Sequence, residues 1–122
     1  DAAVALKQAG ALVAREPPVT PHLADGYAVA GQIYAAGNIL AARERLAMNM
    51  LMDSDADSWT RRLAALRREV GDCRTDAPIS ASGNLSGSFT WSCERGRVDG
   101  TLLLAPTPTA GIQELKLVAR QP

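Results

Sequence analysis

The spacing of apolar residues changes near Gly71. Before it they recur at helical intervals, and after it they alternate with polar ones. Val4, Leu6, Ala9, Leu12 and Val13 predict a first helix over Ala2 to Arg15, in an Ala-rich run of high helix propensity that Pro17 and Pro18 end. Thr20-Pro21 supplies an N-cap followed by proline at the first helical position, so a second helix starts at Pro21. It carries Leu23, Tyr27, Ala30 and Tyr34 near one face and stops at Gly37. Asn38 then caps a third helix with Ile39, Ala42, Leu46 and Met50 inward and Arg43, Glu44 and Arg45 outward. The short Gly37-Asn38 link makes the second and third helices an antiparallel hairpin. Asp53, Asp55 and Asp57 precede a fourth helix with an apolar face of Trp59, Leu63, Leu66 and Val70, its arginines suiting the helix dipole further on.

Strands follow. Cys73 to Ser80 reads as one, interrupted by Pro78 and therefore placed at an edge or bulged. After a turn at Ser82-Gly83-Asn84, Leu85, Gly87, Phe89, Trp91 and Cys93 alternate with Ser86, Ser88, Thr90 and Ser92, the pattern of a strand with one buried and one wet face. Glu94 to Arg97 makes a hairpin turn, Val98 to Ala105 returns, and Pro106, Pro108 and Gly111 mark a longer turn before Ile112 to Ala119. The expected fold is α+β: about four N-terminal helices packed on an antiparallel meander of about four strands, because the apolar sheet face needs a cover and the helices are the cover available.

Length sharpens this to a single domain over 1–122, helical over about 2–71 and sheet over about 72–119. The charge balance, 13 Lys plus Arg against 13 Asp plus Glu, supplies no net positive field for nucleic acid or anionic lipid, so no nucleic-acid partner is expected. No apolar run is long enough for a membrane span. The chain opens at Asp1 without Met, which reads as a processed mature form or a piece of a longer protein. Cys73 and Cys93 lack the close spacing of a redox pair or zinc knuckle and fit a disulfide or two buried thiols. The disulfide is the expectation, and it places the protein outside the reducing cytosol, periplasmic or secreted.

Candidate chemistry changes the picture little. Asp53, Asp55 and Asp57 start like a calcium loop, but Ser58 stands where glycine is needed and Ala64 where glutamate is, so they read as helix-capping residues. His22, the only histidine, reads as a surface residue, and Met48, Met50 and Met52 would spread over different helix faces. Ser86 lacks the glycine two positions before it that a nucleophile elbow needs, and no Ser-x-x-Lys occurs. Asn84-Leu85-Ser86 fits a glycosylation sequon, which matters only in a eukaryotic secreted protein. No catalytic residue, metal ligand or cofactor is therefore assigned. Tyr27, Tyr34, Trp59, Phe89 and Trp91 are the candidate pocket or interface residues.

The runs Leu63 to Gly71, Gly87 to Gly96, Gly100 to Pro106 and Ile112 to Leu117, taken in order across Trp59 to Val118, resemble small accessory domains appended to bacterial serine hydrolases of the β-lactamase/penicillin-binding class. Their element order is also similar to the cone-shaped fold of nuclear-transport-factor-like and ketosteroid-isomerase-like domains. The resemblance implies a curved sheet wrapping helices around a pocket in an extracytoplasmic bacterial protein. Isomerase relatives place an acid or tyrosine in that cone, and Asp99 and Asp76 are the acids to locate here.

The leading expectation is thus a non-catalytic accessory or interaction domain, C-terminal in a larger envelope hydrolase. Its partner would be the catalytic domain of the same polypeptide or another protein, and a homodimer is compatible with it. One alternative is a self-contained pocket protein that binds or isomerises a small molecule. Another is a secreted structural or inhibitor-like protein using the Pro106 to Gly111 loop as its edge.

Overall fold

A computed structural model describes residues 17–53 and 55–121. The helix expected over Ala2 to Arg15 lies outside them. Helix α1 (Pro21–Ala36) starts and stops where its capping residues dictate. Thr20 is extended and its Oγ1 accepts from the Leu23 amide at 3.2 Å, while Gly37 takes the left-handed conformation (φ 66°) and donates to Ile33 O at 2.9 Å. The Thr20 hydroxyl also donates to Asn84 O at 2.7 Å, tying the start of the helix to the turn before the central strand.

The third expected helix is broken. Asn38 caps as anticipated, its Oδ1 accepting from the Leu40 amide at 2.9 Å, but Ile39–Arg45 is a 3-10 helix with a non-helical Ala42 inside it. Leu46 is extended and bridges Ile112 in parallel, with the Ala47 amide donating to Ile112 O at 2.8 Å. Gly111 permits this approach, since a Cβ there would lie 2.9 Å from Ala47 N. Pairing with the last strand thus outcompetes one continuous helix, and only a short α2 (Met50–Asp53) follows. In α3 (Ala56–Val70), Asp55 is the N-cap, accepting from the Ser58 amide at 2.8 Å, and Asp57 sits in the first turn. Trp59, Leu63 and Val70 are buried and Leu66 packs beside them. At the other end Arg95 donates to Arg67 O at 3.2 Å and Arg68 O at 3.1 Å, a cation on the last carbonyls, where the dipole favours it.

The sheet is an open antiparallel meander. Strands β1 (Cys73–Arg74) and β2 (Ser80–Ala81) share one edge of β3 (Ser86–Cys93), followed by β4 (Gly96–Leu104) and β5 (Ile112–Arg120). Among the described residues there are five strands, because the first expected strand splits. Arg74 pairs with Ser92 and Ser80 with Ser88, so residues 75–79, including Pro78, bulge across from residues 89–91. Gly87, Phe89 and Trp91 of β3 and Val98, Gly100 and Leu102 of β4 face the helices and are buried. Their neighbours in sequence, among them Ser88, Thr90, Asp99 and Thr101, face the other way. No described helix is long and apolar enough to cross a membrane.

Cys73 and Cys93 form a disulfide, standing directly opposite each other in the β1–β3 register with Cα atoms 3.9 Å apart. Of the two routes open from sequence, strand pairing rather than the end of α3 brings them together. The close Cα approach suits a non-hydrogen-bonded antiparallel pair.

Candidate functional site

Four of the five aromatic candidates meet inside the domain. Phe89 and Trp91 project from β3 toward α1, where Tyr27 and Tyr34 stand two turns apart. Ring centroids are 4.7 Å apart for Phe89–Trp91, 4.9 Å for Tyr27–Phe89 and 5.6 Å for Tyr34–Trp91. The Trp91 indole N–H donates to Tyr27 Oη at 2.9 Å, and that hydroxyl donates to the Ala77 carbonyl, anchoring the bulge between β1 and β2. Tyr34 Oη donates to Gly71 O at 2.8 Å, fixing the end of α3. Burial raises both phenol pKa values. At Tyr27 the Trp91 hydrogen bond opposes the rise and Asp76 adds to it, and at Tyr34 the nearby Arg67 guanidinium opposes it. Both phenols stay protonated at neutral pH and act as hydrogen-bond donors that tie elements together.

Trp59 is not part of this cluster. It is buried on α3 with the Arg62 guanidinium 4.2 Å above its ring, and its indole N–H has no partner among the described residues. His22 is exposed at the start of α1, and Asp76 is exposed in the bulge beside Arg74 at 3.5 Å. Met50 is buried, whereas Met48 is 91% and Met52 81% exposed. Among the described residues no charged side chain is buried between helices and sheet.

The open face of the sheet holds a groove of about 700 Å³. Its floor is made of short hydroxyl side chains, Ser88 and Thr90 on β3 and Thr101 on β4, with Ser80 of β2 beside them. One wall is Ala77-Pro78 from the bulge, and the opposite wall is Lys116, Val118 and Arg120 of β5. Asp99 lies between floor and wall and is firmly held, accepting from Thr90 Oγ1 at 3.0 Å and Arg120 Nε at 3.0 Å. Those two bonds keep its carboxyl below the usual carboxylate range, so it is ionised and compensated at neutral pH. Such a group positions a hydrogen-bonding ligand, whereas a general base poised near neutrality needs its pKa moved the other way. Lys116, opposite Thr101 in the register, has no ion-pair partner among the described residues.

Sequence reasoning read the serines and threonines of β3 as a wet face but did not join them to Asp99, Lys116 and Arg120. The available signal was the alternation Arg97, Asp99, Thr101 and Glu114, Lys116, Val118, Arg120, which marks one face once strand order is known.

No protein-family model, curated protein or solved structure matches the chain.

Proposed function

We propose that the chain is a non-catalytic interaction domain of an extracytoplasmic protein, working through the open face of its sheet. The observation that carries this reading is the groove itself. It is a trough of hydroxyl groups with an ionised, hydrogen-bonded carboxylate and a lysine that has no ion-pair partner among the described residues along one side, presented by strands whose other face is packed on helices. Rigid support and convergent polar groups are what a binding surface requires. The disulfide supports an oxidising compartment, periplasmic or secreted. The resemblance of residues 59–118 adds the proposed context: a domain C-terminal to a bacterial serine hydrolase of the β-lactamase/penicillin-binding class, with its sheet curved as in cone-shaped folds.

The test is a photoreactive amino acid at Thr101, on the groove floor, in the protein expressed in its own host. A discrete adduct is expected, with the neighbouring domain of the same polypeptide or with an envelope protein. Ser88→Tyr, which fills the trough with a residue of higher strand preference, should abolish the adduct without lowering the melting temperature. No adduct, or one that survives Ser88→Tyr, defeats the reading. The appended-domain context is tested separately by the open reading frame: an upstream Ser-x-x-Lys domain supports it, and a signal peptide or stop immediately before Asp1 removes it.

A second reading, a small-molecule pocket, is favoured by the groove's volume, which lies within the range of ligand sites. Saturable stabilisation by a small ligand, lost in Ser88→Tyr, would select it.

A further inference from the structure

From the free edge of β5 we infer that two copies of this chain pair through β5, antiparallel about a two-fold axis at Leu117, into one continuous sheet. The orientation of the edge follows from the hairpin. The two-residue turn Glu94-Arg95 makes Cys93 and Gly96 a hydrogen-bonded pair, so the backbone groups of Val98, Gly100 and Leu102 point to β3. Those of Arg97, Asp99, Thr101 and Leu103 therefore point to β5, where they meet Arg120, Val118, Lys116 and Glu114. What remains directed outward on β5 is the N–H and C=O of Leu115, Leu117 and Ala119. One contact at the start of the strand agrees with this alternation, Asn49 Nδ2 donating to Gln113 O at 3.2 Å, while the Ala47 amide reaches Ile112 O on the far side of the bulge at Leu103/Leu104, where the alternation shifts. Beyond Gln113 the edge has no partner among the described residues, and an unpaired edge is a template for another strand.

Charge selects both the occupant and the register. Centred on Leu117, the outward backbone groups of Leu115 meet those of Ala119 of the second copy, and Leu117 meets its own equivalent. On the open face, Glu114 then lies opposite Arg120 of the second copy and Lys116 opposite Val118. Moving the axis to Lys116 would set two lysines face to face, and moving it to Val118 would set Lys116 against Arg120, each a like-charge pair. The Leu117 register also answers an imbalance within one copy. Arg97 and Arg120 stand opposite each other on β4 and β5, Asp99 is the one carboxylate bonded to Arg120, and Glu114 has no ion-pair partner among the described residues. Glu114 of the second copy supplies the missing negative charge. Val118, 47% exposed, is covered by the lysine stem across the axis.

Velocity sedimentation of the full chain from micromolar to submillimolar concentration should show a monomer–dimer equilibrium. Amide exchange at Leu115, Leu117 and Ala119 should slow as the concentration rises. Glu114→Arg and Arg120→Glu should each weaken self-association by about tenfold or more. An equimolar mixture of the two should associate again, because arginines at both positions of one chain face glutamates in the other. Ala119→Pro, which deletes an outward N–H at an edge where proline is tolerated, gives a second route if a charge variant fails to fold by circular dichroism. A chain that stays monomeric throughout overturns the inference. So does a dimer whose Leu115, Leu117 and Ala119 amides exchange at a concentration-independent rate, or a mixture that does not recover.

Discussion

Gly100→Ala gives opposite answers when argued from sequence and from structure. Glycine in a strand interior is unfavourable. Its backbone is extended here, and alanine would reduce unfolded-state freedom, so sequence reasoning predicts stabilisation by about 0.5–1 kcal/mol. In the folded protein, however, the Phe89 ring lies on the cross-strand glycine. A Cβ at Gly100 would stand 2.2 Å from Phe89 Cε1 and 2.2 Å from Cζ, where carbon atoms need about 3.5 Å, so the ring must withdraw by about 1.3 Å. Neighbouring rings oppose that withdrawal, with the Tyr27 centroid at 4.9 Å and that of Trp91 at 4.7 Å. Overpacking of this kind costs about 1–3 kcal/mol, which exceeds the backbone gain, and Gly100→Ala is expected to destabilise. The assay is urea unfolding with the disulfide intact, followed by tryptophan fluorescence. In a Phe89→Ala background, itself about 3–5 kcal/mol less stable, the obstruction is gone and Gly100→Ala should turn stabilising. Equal or higher stability of the single variant at unchanged m-value, or additivity of the two substitutions, would refute the reasoning.

Breaking the disulfide by Cys73→Ser with Cys93→Ser closes no loop in the unfolded chain and should lower stability by about 3 kcal/mol on the chain-entropy estimate, read as the drop in urea midpoint against the oxidised protein. Tyr27→Phe leaves the fully buried Trp91 indole N–H without its acceptor and Ala77 O without its donor, so a loss of about 1–3 kcal/mol is expected, with a shifted indole resonance in proton NMR. Asp55 and Asp99 both have pKa values held below the usual carboxylate range, Asp55 by the Ser58 amide and Asp99 by Thr90 and Arg120. A depressed pKa means that the stability each group adds is fully present above its unfolded-state value and is lost as pH falls through the folded one. Melting temperature should therefore drop below about pH 4, less steeply in Asp55→Asn, which keeps the capping oxygen but not the charge. An acid limb identical in Asp55→Asn and wild type would count against that assignment.

Local signals carried much of the fold. The ends of α1 and α3 and the alternation of β3 are visible as Thr20-Pro21, Gly37, Gly71 and the Ser/Thr-interleaved aromatics, and each acts through neighbours a few residues away. What escaped depends on partners far along the chain. Residues 39–53 carry a helical period, yet Leu46 is drawn into a bridge with Ile112, sixty-six residues later, which no local preference encodes. The split of the first strand was half legible. Pro78 announced an edge or a bulge, but the number of residues looped out is set by the Tyr27–Ala77 contact on one side and the β2–β3 register on the other.

The groove escaped for a different reason: it is made by differences in side-chain length across three strands. The serines of β3 signal exposure when read alone. Their smallness makes a trough only beside Lys116 and Arg120 on one flank and Pro78 on the other, and that adjacency exists only after the meander is assembled. The inner face explains why the floor can be so shallow in side chains. β3 is held from below by Phe89 and Trp91 packed on α1 and from the side by the disulfide, so apart from Thr90, which bonds Asp99 across the strand pair, its outer residues carry little of the packing. A position freed in that way can be occupied by residues chosen for what they bind. Pairing through β5 would extend the same logic, because the Lys116–Arg120 wall of one trough would become the ridge between two, and a partner spanning both would meet hydroxyl floors on either side of a charge-balanced seam.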